Sequence, residues 1–123
     1  MAEYQAGVCN IGPAEIKRRR QGALIGAVLF AFTTLTFVIT DASTLTRLIT
    51  FIPALLFTVG IIQSKRKFCV AYGFLGVFSI EKLGATKKIS INQDLKADRK
   101  YAVKLLLQSV AAAIVLTAMV VLI

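Results

Sequence analysis

The 123-residue chain has no histidine and only six acidic residues, so it lacks many of the side chains on which protein chemistry depends. The absence of histidine removes the usual general base and the usual ligand of haem or zinc. The carboxylates form no recognisable pair, and none lies in the middle of an apolar stretch, which argues against a proton-coupled pump. Two cysteines alone do not make a zinc site. We therefore expect no enzyme activity, no metal and no cofactor.

A phosphate-binding loop is also missing. The glycine pair Gly73-x-x-Gly76 lacks the following Lys-Ser/Thr and the longer glycine spacing of such a loop. Most aromatic residues fall in or beside apolar segments, which is not the pattern of a nucleic-acid module. The sequence therefore predicts neither a nucleotide site nor a nucleic-acid partner.

Three apolar stretches are present, at about residues 22–40, 45–62 and 105–123. Each is about as long as a helix must be to cross the hydrocarbon core of a bilayer. The chain is 57% hydrophobic, above the roughly 45–50% of soluble domains. The first stretch is longer than the apolar core of a signal peptide, so we expect it in the mature protein. The sequence predicts an all-α integral membrane protein with three transmembrane helices in a single domain, 1–123.

The basic residues are distributed unevenly around these stretches. Of fifteen Lys and Arg residues, four precede the first stretch, ten lie between the second and third, and only Arg47 follows the first directly. Because basic residues accumulate on the cytoplasmic side, the N-terminus and the segment 63–104 are predicted to be cytoplasmic and the C-terminus to lie outside. The net charge of +9 then indicates contact with anionic lipid. The cations predicted to contact lipid headgroups are Arg18, Arg19, Arg20, Lys65, Arg66 and Lys67.

The first helix has a clear start. Gly12 is predicted to be the N-cap, Pro13 suits the first helical position, and Glu15 complements the positive helix end. From there one helix could run over 13–40. Small residues recur within it about every four positions and predict a close-packing face, used either within the chain or in a homodimer. These residues are Gly22, Gly26, Ala27 and Ala31.

Pro53 predicts a kink in the second helix. The carbonyl that it frees, near Ile49, is expected to be satisfied by a neighbour such as Thr50 or by water. Arg47 is expected at the membrane edge beside Asp41, where a surface ion pair accounts for its charge.

The segment between the second and third stretches is the least generic part of the chain. Residues 68–80 are aromatic and apolar but too short to cross, which predicts an interfacial or re-entrant segment. Tyr72, Gly73 and Gly76 are its candidate site residues, the glycines permitting a bend or a close backbone contact. The alternation over 86–91 predicts a short strand, and Asn92 or Asp94 is expected to cap the helix that leads into the third stretch.

The two cysteines, Cys9 and Cys69, are predicted to lie near the same cytoplasmic face as reduced thiols. Cations lie close in sequence to each, and positive surroundings raise the thiolate fraction of a cysteine. Both are therefore candidate reactive thiols. The alternative is that they only fill space, or that Cys69 is acylated near the membrane.

Several of these residues together resemble a family of small bacterial inner-membrane proteins of unknown function. The family's two-helix unit, sometimes fused to a rhodanese domain, begins with an Asn-x-Gly-x-x-acid-Arg motif and carries a Cys-Pro-x-Tyr segment ending in Gly. The resemblance covers about residues 9–80 and implies a bacterial inner-membrane location, but no reaction. This chain has Val70 in place of the proline and Ile16 in place of the arginine, and it adds a third span. The residues that carry the likeness are Cys9, Asn10, Ile11, Gly12, Glu15, Cys69, Tyr72, Leu75 and Gly76.

These observations predict a small accessory or scaffold protein that acts through helix packing, as a subunit of a larger membrane complex or as a homo-oligomer. Its expected partners are the anionic bilayer and other membrane subunits or itself. Two alternatives stay open. One is a membrane thiol or persulfide carrier that uses Cys9 and Cys69, and the other is a small oligomeric channel or transporter whose pore forms between protomers.

Overall fold

The computed structural model describes residues 4–80 and 86–123. Three helical stretches within them are long and apolar enough to cross a membrane: Pro13–Ile39, Thr44–Arg66 and Asn92–Leu122. The predicted all-α membrane fold with three spans is thereby confirmed, and the chain is a small multi-pass membrane protein. In chain order the elements are α1 (Pro13–Ile39), α2 (Thr44–Arg47), a 3₁₀ turn (Leu48–Thr50), α3 (Phe51–Arg66), α4 (Val70–Leu75), β1 (Val77–Phe78), β2 (Lys87–Lys88) and α5 (Asn92–Leu122).

Helix α1 begins as its sequence predicts. Gly12 is the N-cap in extended conformation, Pro13 follows as the first helical residue, and Glu15 lies in the first turn. The helix continues without a break to Ile39, and the chain then turns through Asp41, whose φ of 51° is left-handed. The charged residues Glu15 and Lys17 to Arg20 therefore lie on the same continuous helix as the first apolar stretch, so their directions around its axis are fixed.

The second span is interrupted close to Pro53. The 3₁₀ turn separates α2 from α3 just before the proline, whose missing N–H prevents a regular helical bond at this point. The hydroxyl of Thr50 donates to the carbonyl of Arg47 at 2.7 Å, not to that of Ile49 as expected. The helix thus tightens locally, and Thr50 is buried in the tightened turn.

Helix α3 lies between α1 and α5. Glycines permit its close approach to α1: a Cβ added at Gly26 would lie 2.5 Å from the backbone nitrogen of Phe57, and one added at Gly60 would lie 2.8 Å from that of Ala23. On the other side, the hydroxyl of Thr58 donates to the carbonyl of Ser109 at 2.9 Å and links α3 to α5. The spans therefore form an open layer with α3 in the middle and α1 and α5 on the outside.

The segment after α3 folds against the start of α5. Phe68 is fully buried and meets Tyr101 edge to face, with ring centroids 4.8 Å apart. After α4, the chain enters β1, which pairs antiparallel with β2, Val77 opposite Lys88. The short strand predicted over 86–91 is present as β2. Residues 81–85 of this segment lie outside the described part of the chain.

The expected cap of the last helix is wrong. The N-cap of α5 is Ile91, and neither Asn92 nor Asp94 caps it through a side chain. Asn92 is already the first helical residue, one position too late to act as a cap. Asp94 lies in the first turn, where its charge favours the positive helix end.

Candidate functional site

The N-terminal arm, residues 4–12, is held against the chain between α3 and β1. The side-chain amide of Asn10 donates to the carbonyl of Cys69 at 3.1 Å and accepts from the Cys69 N–H at 2.6 Å. The N–H of Asn10 also donates to the carbonyl of Lys67 at 3.2 Å. Asn10 is fully buried. Asn10 therefore bonds to both backbone groups of the buried Cys69, whose carbonyl also accepts from the Gly73 N–H at 3.0 Å.

The arm continues beside β1. Ile11 bridges to Ser79, with bonds from the Ser79 N–H to the Asn10 carbonyl and from the Gly12 N–H to the Ser79 carbonyl, both 2.9 Å. A Cβ on Gly12 would overlap the backbone of Ile80. Gly12 is thus required for this close approach, and it is also the N-cap of α1.

These hydrogen bonds form a clasp between the arm and the segment that follows α3. Beside it lies a group of polar side chains, which we name the cysteine cluster: Asn10, Glu15, Arg19, Cys69 and Tyr72. Glu15 and Arg19 lie four residues apart on one face of α1, as i,i+4 partners do. The Arg19 Nη2 atom is 3.1 Å from the Glu15 Oε2 atom and 3.1 Å from the Cys69 Sγ atom. Tyr72 Oη donates weakly to the same Glu15 oxygen at 3.4 Å, and the guanidinium carbon lies 5.7 Å from the Tyr72 ring centre.

Electrostatics within the cluster centre on one cation. Glu15 is 1% exposed and its charge is balanced by Arg19, whose side chain is 16% exposed. Burial, followed by the negative charge of Glu15, raises the pKa of Tyr72 above its ordinary value. Tyr72 is therefore a neutral hydrogen-bond donor at physiological pH. Arg19 serves a carboxylate and a sulfur at once, an arrangement that both fixes the side chains and places a cation against Cys69.

The two cysteines occupy different environments. Both are free and buried. The Cys9 Sγ atom faces the carbonyl of Ile11 at 3.4 Å, while Cys69 contacts Arg19. Their segments meet through Asn10, as expected for residues near one face. Of the predicted pair of reactive thiols, only Cys69 has a cation against its sulfur in the described part of the chain.

A second clasp, which the sequence did not indicate, joins the arm to α5. Asp98 is fully buried and accepts from Tyr4 Oη at 2.9 Å and from the Gly7 N–H at 2.6 Å. Tyr4 also stacks on Phe78, with ring centroids 4.5 Å apart. Burial and the hydrogen bond to Asp98 raise the pKa of Tyr4. Asp98 is a single acid in a basic stretch, and only its tertiary partner explains it.

The predicted headgroup contacts divide into two groups. Arg18, Arg20, Lys65, Arg66 and Lys67 are exposed. Arg19 is not: its side chain points into the cysteine cluster, so its assignment to lipid headgroups is corrected. Helix phase is the reason, because Arg19 shares the inward face of α1 with Glu15, Ala23 and Gly26, which are buried.

The predicted packing face of α1 is also divided. Gly26 packs on α3, whereas a Cβ at Gly22 would meet nothing within 4 Å. Ala27 is half-buried and Ala31 is exposed. Gly26 therefore serves packing within the chain, and Ala31 is left on the outside of the layer.

The glycines of residues 68–80 allow a close contact and a turn. A Cβ at Gly73 would come within 3 Å of the Phe68 ring and of Ala102. Gly76 adopts a left-handed φ of 72° and ends α4. Within this segment, α4 packs on α5 and carries Tyr72 of the cluster, while β1 pairs with β2.

At the opposite end, Arg47 joins the first turn to α5. Its Nε atom donates to the Ala42 carbonyl at 3.0 Å and its Nη1 atom donates to the Val120 carbonyl at 3.1 Å. The expected pairing with Asp41 is present but long, at 3.8 Å. Arg47 is thus mainly a buried donor to backbone carbonyls.

Within residues 4–80 and 86–123, no group of three or more His, Cys, Asp or Glu side chains could hold a metal ion. Comparisons with protein-family models, with curated proteins and with solved structures find no match to this chain.

Proposed function

We propose that this protein is a small accessory or scaffold subunit that acts through helix packing, in a larger membrane complex or as a homo-oligomer. The observation that carries the proposal is the open layer of helices. Helix α1 uses one face on α3, while its other side presents large apolar residues, with Leu24 66% and Phe32 67% exposed. An outer helix of this kind offers a continuous surface to another membrane helix.

Ala31 is the residue of the predicted packing set that is best placed for such a contact. It is exposed, and Ala27 lies one turn away on a neighbouring part of α1. Small residues let helix backbones approach in lipid, where hydrophobicity supplies no drive between helices. In this proposal the cysteine cluster is structural: it locks the arm and α4 onto the end of the layer, which then moves as one body.

For orientation we propose the arm and the 63–104 segment on the cytoplasmic side of a bacterial inner membrane. The support is the bias of basic residues, fourteen of fifteen of which lie on that side in this arrangement. The resemblance to the small inner-membrane family is part of the same proposal. Its motif residues Asn10, Glu15, Cys69 and Tyr72 meet in the cysteine cluster.

The test is the mass of the complex extracted from its native membrane in mild detergent. We expect a fixed species larger than one protomer. Ala31→Leu should reduce it, because a larger side chain separates the helices, whereas Ala111→Leu, an exposed alanine on α5, should not. A lone protomer in the unsubstituted protein would contradict the proposal.

Thiol chemistry is the second candidate, favoured by the 3.1 Å contact between Arg19 Nη2 and Cys69 Sγ. Contact with a cation is common among reactive cysteines. The readout is the alkylation rate of Cys69, with Cys9 as the internal control because it is also a buried, free cysteine. Faster labelling of Cys69 that Arg19→Gln abolishes would support a thiol carrier. Equal, slow labelling of both cysteines would support a purely structural cluster.

A further inference from the structure

A groove of about 960 Å³ lies along the N-terminal part of α1, on the side away from the cysteine cluster. Three cations line it: Lys17 and Arg20 from α1, and Lys67 from the turn between α3 and α4. Ile16 and Leu24 supply its apolar wall. The residues from α1 recur every three or four positions, so they form one helix face.

The backbone around the groove is fixed. Lys67 has a left-handed φ of 54° and caps α3 by donating its N–H to the Gln63 carbonyl. Its own carbonyl accepts from the N–H of Asn10. On the same helix, Arg19 points inward, whereas Lys17 and Arg20 are exposed on its outer side. The order of residues around α1 therefore places the cysteine cluster on one face of this helix and the groove on another.

Among residues 4–80 and 86–123, the three cations of the groove, Lys17, Arg20 and Lys67, form no ion pair with a carboxylate. All three side chains are exposed. Their concentration beside an apolar wall favours a ligand with an anionic head and a hydrocarbon tail.

We propose that this groove binds one anionic phospholipid, with the headgroup phosphate between Lys17, Arg20 and Lys67 and an acyl chain against Leu24. The proposal rests on the membrane location given above and adds a defined lipid site to it. Lys17 and Leu24 lie about 10 Å apart along the helix, at a rise of about 1.5 Å per residue. A ligand that fills the groove therefore reaches from the charged end of α1 into its apolar stretch. A phospholipid has a charged part and an apolar part to match these two ends, whereas a soluble anion matches only the charged end.

The experiment measures retention of phosphatidylglycerol by the full chain in a zwitterionic detergent, using native mass spectrometry, with the zwitterionic phosphatidylcholine, which has no net charge, as the comparison. The groove variant is Lys17→Gln with Arg20→Gln and Lys67→Gln. The matched control is Arg18→Gln with Lys65→Gln and Arg66→Gln, which removes the same three charges at the same end but outside the groove. Arg20→Gln alone is the milder variant should the triple variant not fold.

We expect the groove variant to lose at least about tenfold in affinity for phosphatidylglycerol, with Arg20→Gln losing several-fold and the control changing less than about twofold, since a screened surface charge contributes little. Equal losses in both triple variants would overturn the proposal in favour of diffuse attraction. Displacement of the lipid by millimolar inorganic phosphate would overturn it in favour of a free-anion site. Unchanged lipid binding with a smaller complex mass would assign the groove to a second protein chain instead. Because lipid retention and complex mass are separate readouts, a failed lipid site leaves the accessory-subunit proposal to be decided by its own test.

Discussion

The side chain of Asn10 pairs with both backbone groups of Cys69, 59 residues further along the chain. This pairing joins the N-terminal arm, which contains Asn10, to the turn after the second span, which contains Cys69. The same turn supplies Lys67 to the outer groove and the Cys69 sulfur to Arg19. The buried Asn10 amide thus fixes the position of the outer groove relative to the cysteine cluster.

Asn10→Ala should destabilise the folded protein by about 1–3 kcal/mol, the cost of one buried group that loses its hydrogen bond. The substitution removes the acceptor of the buried Cys69 N–H, whereas the Cys69 carbonyl keeps its hydrogen bond from the Gly73 N–H. Unfolding in mixed micelles of increasing SDS fraction measures the effect. Gln5→Ala is the control, because Gln5 carries the same amide but is exposed on the same arm. Equal stability of the two variants would mean that the clasp contributes nothing.

Gly26→Ala should separate α1 from α3, whereas Gly22→Ala should be tolerated. The added methyl group meets the backbone of Phe57 at the first position and open space at the second. Overpacking of this kind costs about 1–3 kcal/mol, while alanine in place of an exposed helical glycine adds up to about 1 kcal/mol of stability. The measurement is the same SDS titration, supported by a cysteine crosslink between the two helices. A destabilised Gly22→Ala variant would show that Gly22 contacts something outside the protomer.

Length and apolarity were sufficient to predict the three spans, and the Gly12-Pro13 pair was sufficient to predict the start of α1. These signals are local, since a bilayer demands apolar helices of a certain length whatever they pack against. The strand at Lys87–Lys88 also followed from a local pattern. The cap of α5 did not, because several polar residues in a row offered equally good caps.

The cysteine cluster and the Asp98 clasp depend on contacts across the chain. Nothing distinguishes Arg19 from Arg18 and Arg20 by composition. A signal was nevertheless present: Glu15, Arg19, Ala23 and Gly26 follow one helical face, with an acid four residues before the arginine. Because these residues share one face of the helix, the pattern predicts that Arg19 points inward. Asp98 had no such local partner, since Tyr4 and Gly7 lie more than ninety residues away.

Arg19→Gln should destabilise the protein by about 3 kcal/mol. The substitution removes the Arg19 cation from the buried Glu15 carboxylate, and breaking a buried pair costs about 3–5 kcal/mol. The lower end applies because Arg19 keeps 16% side-chain exposure. Arg18→Gln, next in sequence but exposed, should change stability by less than about 0.5 kcal/mol. If the double variant Glu15→Gln with Arg19→Gln were no more stable than Arg19→Gln alone, the unpaired charge would not be the cause.

The clasp between Tyr4 and Asp98 should make the arm sensitive to high pH. The pKa of Tyr4 lies above the ordinary value of 10.0 because burial and the Asp98 carboxylate both disfavour the phenolate. For an acid whose folded pKa is raised, the unfolded state loses its proton first. The stability from this clasp is therefore fully present below about pH 10 and falls as the pH rises above it.

Absorbance of the phenolate near 295 nm, read in the double variant Tyr72→Phe with Tyr101→Phe, follows Tyr4 alone. Asp98→Asn should bring that titration back towards the ordinary value, since the charge and the carboxylate acceptor are both removed. Asp94→Asn should shift it less, because Asp94 acts on Tyr4 only through distant charge. An identical titration in the two variants would show that Asp98 does not raise the pKa of Tyr4 and that burial is the cause.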